Sequence, residues 1–577
     1  MDLKKILVGI DGIKAKGDLD IDITNVESDS RKVKKGGLFV SIKGFDANGN
    51  DYIKAAIKNG AIAVMAEPDI DKELLKVIVK YVTIIIVPDT RLGLAISACN
   101  FYDNPSRKFK LIGITGTKGK TTTSFMTKKI LEKQGLKVGL IGTIATYIGN
   151  KKVEDSDRTT PESNKLQFLF SKMVEHGCDA VIMEVSSQSL KLNRVAGCDF
   201  DIAVFTNFSE DHISPKEHPD MQDYFESKLK LLKMSKVCYT NADDLMVAKV
   251  PKLLPDSNVT TYGIDNFCNL LAKDITITNS YVDFKVKLES KNERVKVCIP
   301  GRFSVYNALA AISIAKEMKC SAENIKAALE EVRVPGRSEL VENKKELTIM
   351  IDYAHSPESL ENILNAVKSY TKGRLISVFG CGGDRDSGKR PIMGEISGKI
   401  ADYTFITSDN PRTENPEKIV EQIEEGMKKT NGKYEVIVDR KEAIKAAIVI
   451  MMVKTLNTAP KLTILLVSSG KQAIIAAKKH VIPAAKAGTP FLLFAAKSFG
   501  RFPSSAAAWI FLAFIVTHTS IVERSAIVAE MLTTADSHGK FCIFVKHAAK
   551  RGINLIPGLT AKKLAVIRPI VDKITRK

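Results

Sequence analysis

The chain has no Cys-x-x-Cys pair, and its nine cysteines are scattered over 577 residues. That excludes a disulfide framework and a thiolate zinc site of ordinary spacing, and it fits reduced thiols in a cytoplasmic protein. The start, Met1-Asp-Leu-Lys-Lys-Ile-Leu-Val-Gly-Ile-Asp11, has only a short apolar run with an aspartate on each side, so no secretory leader is expected. Acidic residues are scarce in one region alone. Residues 451–577 hold 4 Asp+Glu against 19 Lys+Arg, which gives that stretch +15 of the chain's net +20. The first 450 residues are nearly neutral, so no nucleic-acid partner is expected for the body of the protein. The basic stretch itself has no recognition motif, and Trp509 is the only tryptophan. Phe502 to Val522 lacks Asp, Glu, Lys and Arg, yet Pro503, its hydroxyl residues and His518 argue against a membrane span.

What is present is an α/β protein too long for one core. Short β-rich runs alternate with helical patterns over residues 1–105, for example Gly37 to Ile42, Ala61 to Met65 and Val82 to Val87. Pro105 marks a linker. A second α/β unit spans 106–335, with buried strands at Ala180 to Glu184 and Ile202 to Thr206, and Val334-Pro-Gly-Arg337 is a natural hinge. A third unit covers 336–451, with strands at Leu347 to Ile351, Leu375 to Phe379 and Tyr403 to Ile406. Residues 452–577 form a Lys/Ala-rich tail of different character.

The most informative segment is Gly113-Ile-Thr-Gly116-Thr117-Lys118-Gly119-Lys120-Thr121-Thr122. A strand pattern precedes it and a helical pattern, closed by Gly135, follows. Strand, glycine turn and helix aim backbone N–H groups and a helix N-terminus at phosphate oxygens. Lys120 would meet the terminal phosphates and the Thr121 hydroxyl a Mg²⁺ ion. The glycine spacing departs from the common P-loop pattern, since Ile114 stands where a glycine is usual. Glu184 ends a buried strand, where a carboxylate opposite a P-loop is a useful Mg²⁺ ligand. Taken singly, Asp211-His212 reads as structural and Lys228 as a solvated lysine.

Together these segments resemble the Mur ligase family in order and spacing. The resemblance runs through Gly116 to Thr121, Thr159-Thr-Pro-Glu162, Met183-Glu-Val-Ser-Ser187, Phe205-Thr-Asn207 with Asp211-His212, and Tyr224 to Lys228. It continues in Pro300-Gly-Arg-Phe303, Asn307 to Ala311, Val334 to Arg337, Asp352-Tyr-Ala-His355 and Phe379 to Asp386. It covers about residues 20–450. It implies three domains, for a UDP-substrate, for ATP and for an amino acid, the last Rossmann-like, in a monomeric enzyme. By this resemblance Ser30 contacts uridine, and Thr159, Thr160, Ser186 and Arg194 hold the muramoyl peptide. Thr121, Glu184, His212 and a carbamylated Lys228 would be metal ligands. Asn307, Arg337 and Asp352 would handle ATP beside the Gly116–Thr122 turn, with Lys120, Lys228, Arg337 and Asp352 as the catalytic set.

Asp409-Asn410-Pro411-Arg412 resembles the signature of the members that add meso-diaminopimelate to UDP-N-acetylmuramoyl-L-alanyl-D-glutamate. An arginine there can clamp a distal carboxylate that lysine lacks, and Arg385 matches a second contact. The implied reaction is carboxylate activation by ATP to an acyl phosphate, followed by attack of an amine, in peptidoglycan biosynthesis. Alternatives are a lysine-adding or folylpolyglutamate-type ligase, or a binding protein unable to complete the amide. The last arises because the family continues into a Gly-Lys-Gly-His-Glu-like turn, where this chain reads Gly470-Lys471-Gln472 after the strand pattern Thr463 to Val467. A change of reading frame near residue 452 is the expected origin of the break, because added domains begin at exposed boundaries rather than inside a sheet.

Overall fold

The computed structural model describes residues 1–45, 47–214, 217–341, 348–454 and 463–467. The expectations for Gly470 to Gln472 and for Phe502 to Val522 lie outside the described residues. Met1–Ile482 form one compact unit, and within it three α/β sheets follow one another along the chain. No helix among the described residues is long and apolar enough to cross a membrane.

The first sheet has five strands in the order Lys14–Lys16, Thr83–Ile86, Ala61–Ala66, Gly37–Val40, Val26–Glu27, parallel except for the first pair. The central sheet has nine strands, and its middle is built for the glycine turn. Lys110–Thr115 lies between Phe200–Phe205 and Ala180–Glu184, all parallel. Register places Glu184 beside Ile114 and Phe205 beside Thr115, so both neighbouring strands end level with the turn that follows Thr115. Ala180, Val181, Ile182, Met183 and Glu184 are all buried, as expected for a parallel strand covered on both faces. One cover is Phe303–Glu317, a helix apolar on nearly every side and packed against the turn's own helix, Lys120–Lys133. A small antiparallel sheet, 273–297, closes the far side of that core.

The third sheet runs in the order Glu339–Leu340, Thr348–Asp352, Thr463–Val467, Leu375–Phe379, Tyr403–Ile406, Tyr434–Val436. The strand Thr463–Val467 lies past residue 451 and yet pairs in parallel with two central neighbours, so the sheet is completed from beyond that boundary. The helix Pro357–Tyr370 starts with a Ser356 cap, reinforced by Ser359 and by proline at its first position. The helices Lys389–Ile400 and Pro416–Met427 cross at glycines. A Cβ on Gly426 would lie 1.8 Å from the Pro391 carbonyl oxygen, and one on Gly394 2.0 Å from that of Ile423. Gly426→Ala therefore forces the two helices apart. We expect it to lower the stability of the third domain by about 1–3 kcal/mol in urea denaturation; an unchanged midpoint would contradict the close crossing.

Candidate functional site

The turn after Thr115 reverses the chain through two glycines at positive φ, 140° at Gly116 and 84° at Gly119. Only glycine fits. A Cβ on Gly116 would sit 2.0 Å from Thr206 Oγ1, and one on Gly119 2.4 Å from Asn307 Oδ1. Thr206 and Asn207 brace the turn from the next strand: Asn207 Oδ1 accepts from the Lys118 N–H at 2.8 Å, and the Thr206 hydroxyl donates to the Lys118 carbonyl at 2.7 Å. The Lys120 ammonium folds back onto the carbonyls of Gly116 (2.7 Å) and Thr117 (3.0 Å). Burial pulls its pKa down to about 8, against some support from Glu184.

Glu184 is the hub beside the turn. Its carboxylate accepts from the Thr121 hydroxyl at 2.9 Å and from the Thr143 backbone N–H and hydroxyl at 3.0 and 2.9 Å. The Thr143 hydroxyl also meets that of Thr159 at 3.0 Å, while Thr160 donates to the Glu184 carbonyl at 2.9 Å and accepts from the Ser186 N–H at 3.0 Å. The four threonines and Ser186 thus share one network around a carboxylate. Arg194, buried nearby, pairs with Glu162 at 2.9 Å, and its buried Nε has no hydrogen-bond partner among the described residues.

Lys228 is 1% exposed, inside the helix Met221–Lys233. Its amine lies 4.3 Å from the centre of the Tyr224 ring, whose hydroxyl is 3.3 Å from that of Thr117 in the turn. Burial, then the charge of Lys120, pushes the Lys228 amine well below the ordinary lysine range. Asp211 pairs with Lys118 at 2.8 Å. Burial opposes its ionisation, but the charges of Lys118 and His212 outweigh this and hold the carboxyl below the usual range. His212, with φ 60°, turns its Nδ1 to Glu217 at 2.9 Å. Among the described residues no three His, Cys, Asp or Glu side chains converge as a ready metal cage.

The third domain reaches this site directly. The Lys118 ammonium donates to Ser356 Oγ at 3.3 Å, and the Ser209 hydroxyl to Glu358 at 3.1 Å. At the hinge, Arg337 stacks 4.4 Å from the Tyr353 ring centre, and Asp352 accepts from the Ser338 N–H at 2.7 Å and the Ala354 N–H at 2.9 Å. Burial raises the Asp352 carboxyl despite Arg337. Arg385 and Arg412 are exposed and make no hydrogen bond or ion pair among the described residues. Asp409 turns inward instead: its side chain is fully buried, 3.7 Å from Arg440. Asn410 offers its carbonyl to the Gly383 N–H, and the Pro411 carbonyl accepts from the Glu414 N–H, both at 2.9 Å. In the first domain Ser30 is buried, its carbonyl held by the Asn59 amide at 2.9 Å.

Three family models match in chain order: the Mur ligase family catalytic domain over residues 22–102, the Mur ligase middle domain over 114–315, and the Mur ligase glutamate ligase domain over 336–470. A protein of Caldanaerobacter subterraneus subsp. tengcongensis named UDP-N-acetylmuramoyl-L-alanyl-D-glutamate–2,6-diaminopimelate ligase is 49% identical over 437 residues, 75% of this chain and 88% of that one. The chain belongs to the Mur ligase family. A Clostridium acetobutylicum protein of the same name, numbered 1, is 46% identical over 450 residues, 78% of this Mur ligase and 91% of that chain. A solved structure with that ligase name superposes with a TM-score of 0.60 at 25% identity, covering 84% of this Mur ligase and 99% of its own chain.

Several residues of this Mur ligase site left no trace in the sequence. Thr143 supplies two of the three hydrogen bonds to the Glu184 carboxylate, yet it sits in an ordinary Gly-Thr step. His218 is fully buried, with Nδ1 2.6 Å from Asp223 and Nε2 2.9 Å from Ser187, and so ties the helix of Lys228 to the turn that holds Ser186. The sequence around it, Glu217-His-Pro-Asp220, gives no such signal.

The Lys120 proton supplies a test. In the free protein it is released at about pH 8; phosphate oxygens beside the amine would hold it more tightly. Binding of a phosphate-bearing ligand is then coupled to proton uptake above that pH. ADP affinity should be level near neutrality and fall by up to about tenfold per unit from about pH 8 to 10. Calorimetric titration in two buffers of different ionisation enthalpy measures both quantities. A flat affinity with no proton uptake would contradict the placement of Lys120.

Proposed function

We propose that the chain uses ATP to join meso-diaminopimelate to UDP-N-acetylmuramoyl-L-alanyl-D-glutamate, a step of peptidoglycan biosynthesis. The observation that carries this reading is the braced phosphate-binding turn in direct contact with a third domain, through Lys118–Ser356 and Ser209–Glu358, whose exposed Arg385 and Arg412 have no partner among the described residues. The 49% identical relative named for this reaction supports it. A lysine-adding role has no use for Arg412 and Arg385, since lysine lacks the distal carboxylate they would clamp.

The chemistry follows from what an amide bond needs. A carboxylate is a poor electrophile, so the D-glutamyl side-chain carboxylate attacks the γ-phosphorus of ATP, ADP leaves, and an acyl phosphate forms. The diaminopimelate amine adds to the acyl carbon, loses a proton and expels phosphate. The Gly116–Thr122 turn would bind the triphosphate with its backbone N–H groups, and Lys120 would release its own carbonyls to meet the phosphate oxygens. Asn307, which packs on Gly119, and Arg337 and Asp352 at the hinge would seat the nucleotide. Thr160, Ser186 and Arg194 would hold the peptide end, with Thr159 beside them and Ser30 at the uridine end.

The hydroxyl and carboxylate of Thr121 and Glu184 are hard oxygen donors and fit Mg²⁺, with His212 a further candidate ligand at the rim. When bound, the ion would neutralise charge on the transferring phosphoryl group. Lys228 suits the same purpose once carbamylated: an amine held neutral by burial can add to carbon dioxide, lose a proton and become an oxygen anion. On the same reading the enzyme is a cytoplasmic monomer.

Phosphate release should require both the UDP-dipeptide and diaminopimelate, and L-lysine should replace the latter poorly. Release that ignores the amino acid supplied would overturn the assignment. Lys228→Ala should lower kcat by about a hundredfold or more while UDP-dipeptide binding stays near wild type. Full turnover in that variant would remove the carbamate from the account.

A further inference from the structure

Arg385 and Arg412 stand on two different loops, and a clamp for one carboxylate works only if those loops keep a fixed spacing. One buried side chain sets that spacing. Arg390, 1% exposed, sends a two-pronged pair of bonds to Glu414, both 2.8 Å, and further bonds to Gln422 at 2.7 Å and to the Gly382 carbonyl at 3.3 Å. Gly382 and Glu414 belong to the two loops in question. Around this fork the loops are stitched again. Glu414 accepts the Asp384 N–H, Asp384 accepts the Thr413 hydroxyl at 2.7 Å, and the Gly383 N–H bonds the Asn410 carbonyl at 2.9 Å. The backbones run so close that a Cβ on Gly383 would lie 2.0 Å from the Pro411 carbonyl oxygen. The residue before each arginine's exposed turn, or the arginine itself, is left-handed: φ is 53° at Asp384 and 50° at Arg412.

We propose that Arg390 is a positioning residue for amino-acid selection: with Glu414 it locks the loops of Arg385 and Arg412 into the spacing that accepts a distal carboxylate. It acts through those loops and touches no ligand. The inference rests on the reading of the chain as a diaminopimelate-adding ligase. A planar guanidinium is needed because only a fork can bond both carboxylate oxygens while a third donor reaches the other loop. A lysine in its place would hold one oxygen and drop the bond to the other loop, leaving the spacing to the Asp384–Glu414, Asp384–Thr413 and Gly383–Asn410 bonds alone. The Gly116–Thr122 turn and the first domain are untouched by this fork, so nucleotide and UDP-substrate binding are independent of it.

The test uses Arg390→Lys and Glu414→Gln in the full chain; the second keeps shape and volume at a third-exposed position, in case the first does not fold. Hydrogen–deuterium exchange should quicken over 382–390 and 409–415 together in either variant. In steady-state assays KM for diaminopimelate should rise by about tenfold or more, since small misplacements of binding groups are costly. KM for ATP and for the UDP-dipeptide should stay within about twofold, and the preference for diaminopimelate over L-lysine should shrink. Unchanged exchange in both loops would overturn the lock. Quickened exchange with unchanged diaminopimelate KM and preference would overturn the selective role, as would a parallel rise in all three KM values. A wild-type enzyme without diaminopimelate-dependent phosphate release would instead overturn the functional reading and the selective role with it, while the exchange result would still decide the lock.

Discussion

The site depends on a lysine, Lys120, held at the phosphate-binding turn with carbonyl oxygens rather than a carboxylate for its hydrogen-bond partners among the described residues. Lys118, Lys120 and Lys228 lie around one turn, and the charge of Lys120 helps to keep the Lys228 amine neutral. Asp211 answers Lys118, and Glu184 is occupied by hydroxyl and N–H donors from Thr121 and Thr143. Among the described residues Lys120 bonds only carbonyl oxygens. Such an arrangement is costly in a low-dielectric setting and becomes favourable when a polyanion enters. The architecture follows from that need: three parallel strands end level with the turn, and glycine alone fits where the backbone must approach Thr206 and Asn307.

The same charge links the domains. Lys118 reaches Asp211 in its own domain and Ser356 at the head of a third-domain helix, and Ser209 reaches Glu358 in the first turn of that helix. These contacts are polar and partly exposed, so each is worth little by itself and can exchange for others as ligands arrive. Arg337, stacked on Tyr353, sits at the hinge between the two sheets. A nucleotide bound at the turn would therefore be felt by the third domain through side chains already in contact. That is what a reaction with a water-sensitive acyl phosphate requires.

Local pattern carried much of this. The strand, turn and helix around Gly116 to Thr122 were readable although Ile114 breaks the usual spacing, because the two glycines that need positive φ are 116 and 119. Gly113 turns out to be a packing glycine, where a Cβ would meet the Phe200 ring at 2.8 Å. Lys228 illustrates the opposite case. The helical period sets it on the buried stripe of Tyr224, Phe225, Leu231 and Leu232, but a lysine there carries no sign of its chemistry, so only the family resemblance singled it out. Asp409 was expected among ligand contacts, and its inward turn depends on Arg440, thirty-one residues on. His218 and Arg390 were invisible for the same reason: each matters through partners that the fold brings together. The placement of Thr463–Val467 between two earlier strands is likewise a matter of topology, which an apolar run does not encode.

What unites these elements is the claim that the charge cluster exists to transfer a phosphoryl group onto a carboxylate. Labelling the D-glutamyl side-chain carboxylate of the UDP-dipeptide with ¹⁸O and analysing the released phosphate by mass spectrometry tests that claim most directly. An acyl phosphate intermediate passes one carboxylate oxygen to phosphate, so the account predicts one ¹⁸O atom in each phosphate released during amide formation. Unlabelled phosphate accompanying labelled amide product would contradict it.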